Sequence, residues 1–271
     1  MNPPIAAYAP EPTRILVPHE HGAYGQLALP LVTALALGHP NAPSLLLAYA
    51  LVAAFVAHES LLVLLGQRGK RASQGDGPRA RRVLAILGTQ AALAGLAGFY
   101  LAPPVARAAL AVPVLLVAGV GWLLLRRQEK TLAGEIVVAA TLSSCGLAVA
   151  LAGGAPVAWA VGAWVTWLLA FTAATLAVQA ILVRARSKGE RDPGLVHAAA
   201  ALALVAAAFG AVPVLGLPGV APVALLPTAC LSIAVCLVRV SPKRLRELGW
   251  AMVASSVVTM LLLVAGLRWV A

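Results

Sequence analysis

Apolar residues run along this chain almost without interruption, broken at short intervals by charge, proline or glycine. The runs fall at about 22–38, 44–66, 81–101, 104–125, 132–152, 157–183, 195–215, 220–238 and 248–268. Each lies near the roughly 20 residues a helix needs to cross hydrocarbon. They are too long and too continuously apolar for barrel strands, and an open chain in a bilayer must satisfy every backbone N–H and C=O internally, so the runs predict helices. Pro103-Pro104, the stretch from Gly38 to Pro43, Gly153-Gly154 and Leu217-Pro218-Gly219 each break the pattern as loops do. The expected fold class is an all-α polytopic membrane protein with nine transmembrane helices.

Composition strengthens that reading. Of 271 residues, 61% are hydrophobic and 11% charged, with a mean hydropathy of +0.92, against roughly 25% charged residues in a soluble domain. Nine spans leave no room for a separate soluble domain, which excludes a soluble nucleotide-binding enzyme or a nucleic-acid-binding module. The net charge of +11 lies in loops, not on one soluble face. Arg14 precedes the first run; Arg68, Lys70, Arg71, Arg79, Arg81 and Arg82 follow the second; Arg126, Arg127 and Lys130 follow the fourth. Arg184, Arg186, Lys188 and Arg191 follow the sixth, and Arg239, Lys243, Arg244 and Arg246 follow the eighth. Only Arg107 and Arg268 fall on the other side, an 18-to-2 split. The positive-inside rule then places the N-terminus in the cytoplasm of a bacterial cell and the C-terminus outside. Before Arg14 there is no cleavable apolar segment, so the first helix is expected to act as the insertion signal. Cys145, Cys230 and Cys236 lie in apolar runs without metal-type spacing and read as small core residues. Most of the six tryptophans lie near run ends, as an aromatic belt would.

Spacing indicates an internal duplication with a period near 115 residues. Glu20 and Glu135 stand 115 apart, Arg68 and Arg184 stand 116 apart, and the basic loops after the fourth and eighth runs share the offset. The expected organisation is a cytoplasmic segment 1–21 followed by one transmembrane domain, 22–271. That domain holds two parallel four-helix repeats, about 22–128 and 132–240, and a ninth helix at 248–268. Parallel repeats bring both second-helix ends to the cytoplasmic face, where a site between them would open.

Candidate chemistry gathers at that face. Pro18-His19-Glu20-His21-Gly22-Ala23-Tyr24 packs two imidazoles and a carboxylate at the start of the first helix, groups suited to proton transfer near neutral pH. The same string also serves as a helix start, with Glu20 complementing the positive end of the helix dipole. A complete metal site would need ligands from elsewhere, and no metal site is assigned. His58-Glu59 lies inside the second helix, where an ionisable group costs about 2.5–3.5 kcal/mol and so needs a partner or a wet cavity. Glu59 reads as a proton carrier, a cation ligand or the counter-ion of Arg68 or of an arginine on another helix. Glu135 begins the fifth helix; Gln179 in the sixth is expected to face Arg184 or Thr175 by helical spacing. His21, His58 and Glu59 are the candidate catalytic residues. His19, Glu20, Arg68, Glu135, Gln179 and Arg184 are the candidate substrate contacts.

The His-Glu-His-Gly-Ala-Tyr string with its leading Pro18, Leu29-Pro30, the stretch from His58-Glu59-Ser60-Leu61 to Arg68, and the arginine-rich end of the sixth helix together resemble the YwiC-like family of bacterial membrane proteins. The architecture is also similar, more distantly, to the UbiA superfamily of intramembrane prenyltransferases. That second resemblance implies an isoprenoid diphosphate held through magnesium by two Asp-rich motifs. Here His58-Glu59, with Asp76 beyond, stands at the first motif and Arg184, Arg186, Glu190 and Asp192 at the second, so the Asp-rich spacing is absent. The resemblance implies a lipidic, isoprenoid or quinone-like substrate with arginines neutralising its anionic head. Two further readings stand beside it: a proton-coupled transporter of a small solute, and a non-catalytic assembly protein of the membrane. The bilayer is the expected surrounding, nucleic acid is not an expected partner, and neither a cofactor nor an oligomeric state is legible.

Overall fold

The computed structural model describes residue 16 and residues 21–128, 130–187 and 192–269. Among these the regular structure is helical: α1 His21–Leu37, α2 Ala42–Leu64, α3 Lys70–Gly75, α4 Gly77–Leu101, α5 Pro104–Ala109, α6 Ala111–Leu125, α7 Leu132–Ala152, α8 Val157–Arg186, α9 Gly194–Leu215, α10 Val220–Leu237 and α11 Leu245–Trp269. Among the described residues eight spans are long and apolar enough to cross a membrane, α5 and α6 together forming one of them, and α1 is a shorter apolar helix. The protein is an integral, multi-span membrane protein.

Two differences from the expected segments have local causes. The run 104–125 is divided at Leu110, because Pro113 has no N–H to offer Ala109 and its ring crowds that carbonyl. The basic loop after α2 contains a helical turn, α3, which starts at the left-handed Gly69 (φ 95°).

The chain divides into two compact units. The first comprises residues 1–19 and 49–96. In it the end of α2 packs on the start of α4 through Val63 and Ala80, both fully buried, with Leu16 against them and Val83 beside them. Further along, Tyr49 donates from its hydroxyl to Gln90 Oε1 at 2.8 Å.

The second unit comprises residues 20–48 and 97–271. Its centre is α7, packed on α1, α6 and α8, and buried without a break from Ser143 to Ala152 because its residues there are mostly Ala, Gly, Ser and Cys. Small side chains let backbones approach, which is the main source of helix association in lipid. A Cβ on Gly146 would lie 2.7 Å from the Pro30 carbonyl oxygen of α1. The turn after α1 is tied to the end of α7 by His39 N–H donating to the Gly153 carbonyl at 2.7 Å and Asn41 Nδ2 to the Ala152 carbonyl at 2.9 Å.

Beside α7, Trp167 of α8 stacks on Phe171 with centroids 5.2 Å apart. It is enclosed by Leu225, Ala229 and Ala208, and its indole N–H donates to Thr33 Oγ1 of α1 at 3.1 Å. Trp167 is thus a core residue and not part of an aromatic belt, whereas Trp122, Trp250 and Trp269 are exposed. The Cys230 side chain is likewise exposed, unlike Cys145 and Cys236, so it is not the core residue its apolar surroundings indicate. Between α10 and α11 the hydroxyls of Thr228 and Thr259 share a buried hydrogen bond of 3.0 Å.

Candidate functional site

The first cluster is built by the way α2 ends. Gln67 N–H donates to the Leu62 carbonyl at 3.0 Å and Gly66 N–H to the Val63 carbonyl at 3.1 Å, with Gly66 left-handed at φ 71°. This is a Schellman closure, and it needs a residue that adopts positive φ without a Cβ clash. The chain folds back over the last turn and brings Arg68 to Glu59. Arg68 Nε donates to Oε1 at 2.9 Å and Nη2 to Oε2 at 2.6 Å, a bidentate fork. Glu59 is 1% exposed and Arg68 26%, so the pair has a buried carboxylate and a guanidinium that still reaches outward. Both ring nitrogens of His58 are enclosed, and Ser60 is fully buried with no hydrogen-bond partner for its hydroxyl among the described residues.

The second unit holds two further polar groups. Thr131 caps α7 by accepting the Gly134 N–H at 3.1 Å, which sets Glu135 in the first turn. Gln179 Nε2 of α8 donates to Glu135 Oε2 at 2.8 Å. The amide therefore faces across to α7, rather than along its own helix to Arg184 or Thr175 as helical spacing predicted.

Arg184 acts as a clasp at the end of α8. Its Nε donates to Asp192 Oδ1 at 2.7 Å, Nη1 to the Val238 carbonyl at 3.1 Å, and Nη2 to the Cys236 carbonyl. A cation on the last carbonyls of α10 is favoured by the helix dipole. Asp192 also accepts the Gly194 N–H at 3.0 Å, opening α9, and Arg239 Nε lies 3.5 Å from its other oxygen. The Gly194 N–H first, and the Arg184 guanidinium next, hold the Asp192 carboxyl below the usual carboxylate range. Asp192 was not among the expected contacts. Its signal is local: an Asp-Pro-Gly that ends a basic run and starts a helix.

His19 and Glu20 lie outside the described residues, as does the side chain of His21. Of the remaining candidates, the structure joins Glu59 to Arg68 and Gln179 to Glu135, and gives Arg184 to Asp192 and α10. Among the described residues no three His, Cys, Asp or Glu side chains gather closely enough to hold a metal ion.

Residues 17–150 match the family model described as YwiC-like protein. This stretch of the chain is similar to the YwiC-like family. The YwiC-like region contains His58, Glu59, Arg68 and Glu135 and stops short of Gln179 and Arg184, so the Glu59–Arg68 pair lies wholly within it and the α8 clasp wholly outside. No curated protein and no solved structure matches the chain.

Proposed function

We propose that this protein works in the bacterial inner membrane, with its N-terminus cytoplasmic, and that the cluster around Glu59 is its site for a lipidic, isoprenoid or quinone-like substrate. One observation carries the reading: a carboxylate buried in a membrane helix is held by an arginine that stays partly accessible. Ionisable groups at such depth are costly, and they mark substrate or proton paths more often than scaffolding. Arg68 is the group placed to meet an anionic head, and Glu59, freed from the fork as Arg68 turns to substrate, takes or gives a proton with His58 beside it. His21 belongs to the same reading as a further proton carrier. Arg184, with all three nitrogens already engaged, serves as a brace.

The test is native mass spectrometry with lipid extraction of the gently solubilised protein, beside Glu59→Gln and Arg68→Gln. A defined isoprenoid or phospholipid that stays with the wild type and leaves both folded variants supports the lipid site. The same bulk lipid in all three removes it. In that case solute flux driven by a pH gradient in proteoliposomes, abolished by Glu59→Gln, would identify a proton-coupled transporter instead.

A further inference from the structure

The crossing of α1, α7 and α8 contains two tryptophans one turn apart on α8 with unlike surroundings. Trp167 donates its indole N–H to Thr33 Oγ1, which itself donates to the Leu29 carbonyl at 2.8 Å. Trp164, three residues earlier and on the same face, has its Nε1 buried with no hydrogen-bond partner among the described residues. Both tryptophans line a small cavity together with Pro30 and Ala34 of α1 and Ser143 and Gly146 of α7. Within it, Gly146 packs close against the Pro30 carbonyl.

An indole N–H left unpaired inside a membrane protein has no bulk water to fall back on, and an unmet donor of this kind is strongly disfavoured. Ser143 is fully buried. Its hydroxyl donates to the Ala140 carbonyl at 3.1 Å, which leaves its oxygen lone pairs available as an acceptor. The cavity has room for about one water, and two residues that carry a donor and an acceptor, Trp164 and Ser143, line it, the minimum set that holds a buried water. We infer that it is a site for a single ordered water, which accepts from Trp164 Nε1 and donates to Ser143 Oγ. The water does for Trp164 what Thr33 does for Trp167 and ties α8 to α7 at the level where α1 carries its proline.

Two measurements on the full chain test this. A structure in lipid nanodiscs at a resolution that shows ordered water should place one within hydrogen-bond distance of both groups; a dry cavity overturns the site whatever the variants do. Trp164→Phe and Ser143→Ala should each shift the melting temperature, and the double variant should melt within about a degree of the worse single, since both remove the same bridge. Shifts that add, or a Trp164→Phe variant that melts above the wild type, as removal of an unpaired N–H from a dry pocket would produce, overturn it.

Discussion

At Glu59 the two partners of one ion pair are unequally buried, and this makes their substitutions unequal. Removing Arg68 takes the bidentate fork from a carboxylate with almost no exposure, and hydrogen bonds to a charged group of this kind are worth about 1.5–3 kcal/mol. Replacing Glu59 by Gln leaves a guanidinium that is 26% exposed and can turn outward to water or headgroups. Glu59→Gln should therefore keep its fold and lower the melting temperature little in detergent, while Arg68→Ala should lower it by many degrees; equal losses would contradict the asymmetry. Asp192 gives a second expectation at this scale. Its carboxyl is held below the ordinary range by the Gly194 N–H and Arg184, so its contribution is complete above the unfolded value of about 3.9 and fades as pH falls through the lower folded value. The stability gap between wild type and Asp192→Asn should be constant from pH 7 to about pH 5 and close only near the acid limit; a gap that closes near pH 6 would point to another group. The Glu59–Arg68 pair was legible in sequence because both residues belong to one helix end and its turn. The Gln179–Glu135 bond, 44 residues apart, was not, since only the packing of α8 on α7 selects it over equally spaced neighbours on α8.

Among the elements, boundaries were readable wherever proline, glycine or charge interrupts the apolar runs, and the nine runs reappear as α1, α2, α4, the α5–α6 pair and α7 to α11. What sequence did not reveal is how a helix ends when the residue at the reversal is not glycine. At α6, Gln128 N–H donates to the Leu123 carbonyl at 2.9 Å and Arg127 N–H to the Leu124 carbonyl at 3.0 Å, the same closure that ends α2. Here the left-handed position is Arg127, at φ 55°. A side chain in that region costs roughly 1–2 kcal/mol, so Arg127→Gly should stabilise the protein by about 1 kcal/mol, read as a higher melting temperature. An unchanged or lower value would mean that the arginine side chain offsets its own backbone strain. The contact of α7 with α1 works in the opposite sense. Gly146→Ala would set a methyl group 2.7 Å from the Pro30 carbonyl oxygen, a backbone atom that can move only if the helices part. It should destabilise by about 1–3 kcal/mol as overpacking does, and Gly121→Ala, with open space around it, is the control that should not.

For the molecule as a whole, the number of crossings turns on its shortest apolar helix. With 17 residues, α1 is about 25 Å long at 1.5 Å per residue, against a hydrocarbon thickness of about 30 Å. Such a helix spans if the bilayer thins slightly or flanking groups reach to the interface, each at a modest cost per ångström. Its packing favours spanning: α1 lies along α7 and α8, and the turn after it is bonded to the end of α7 through His39 and Asn41. Because α7 is long enough to cross, residue 39 is held at the end of α7 opposite to residue 131. The distribution of charge agrees, with Arg126, Arg127 and Lys130 before α7 and no Lys or Arg between Gly38 and Pro43. Single cysteines at exposed positions decide the matter in a chain with Cys145, Cys230 and Cys236 replaced by alanine. Gln128→Cys and Ser241→Cys should react with a membrane-impermeant maleimide only from the cytoplasmic side, and His39→Cys only from the outside. Ala6→Cys, ahead of α1, should react from the same side as Gln128→Cys; if it reacts instead from the side of His39→Cys, then α1 re-enters without crossing, and the chain has eight spans with both ends on one side of the membrane.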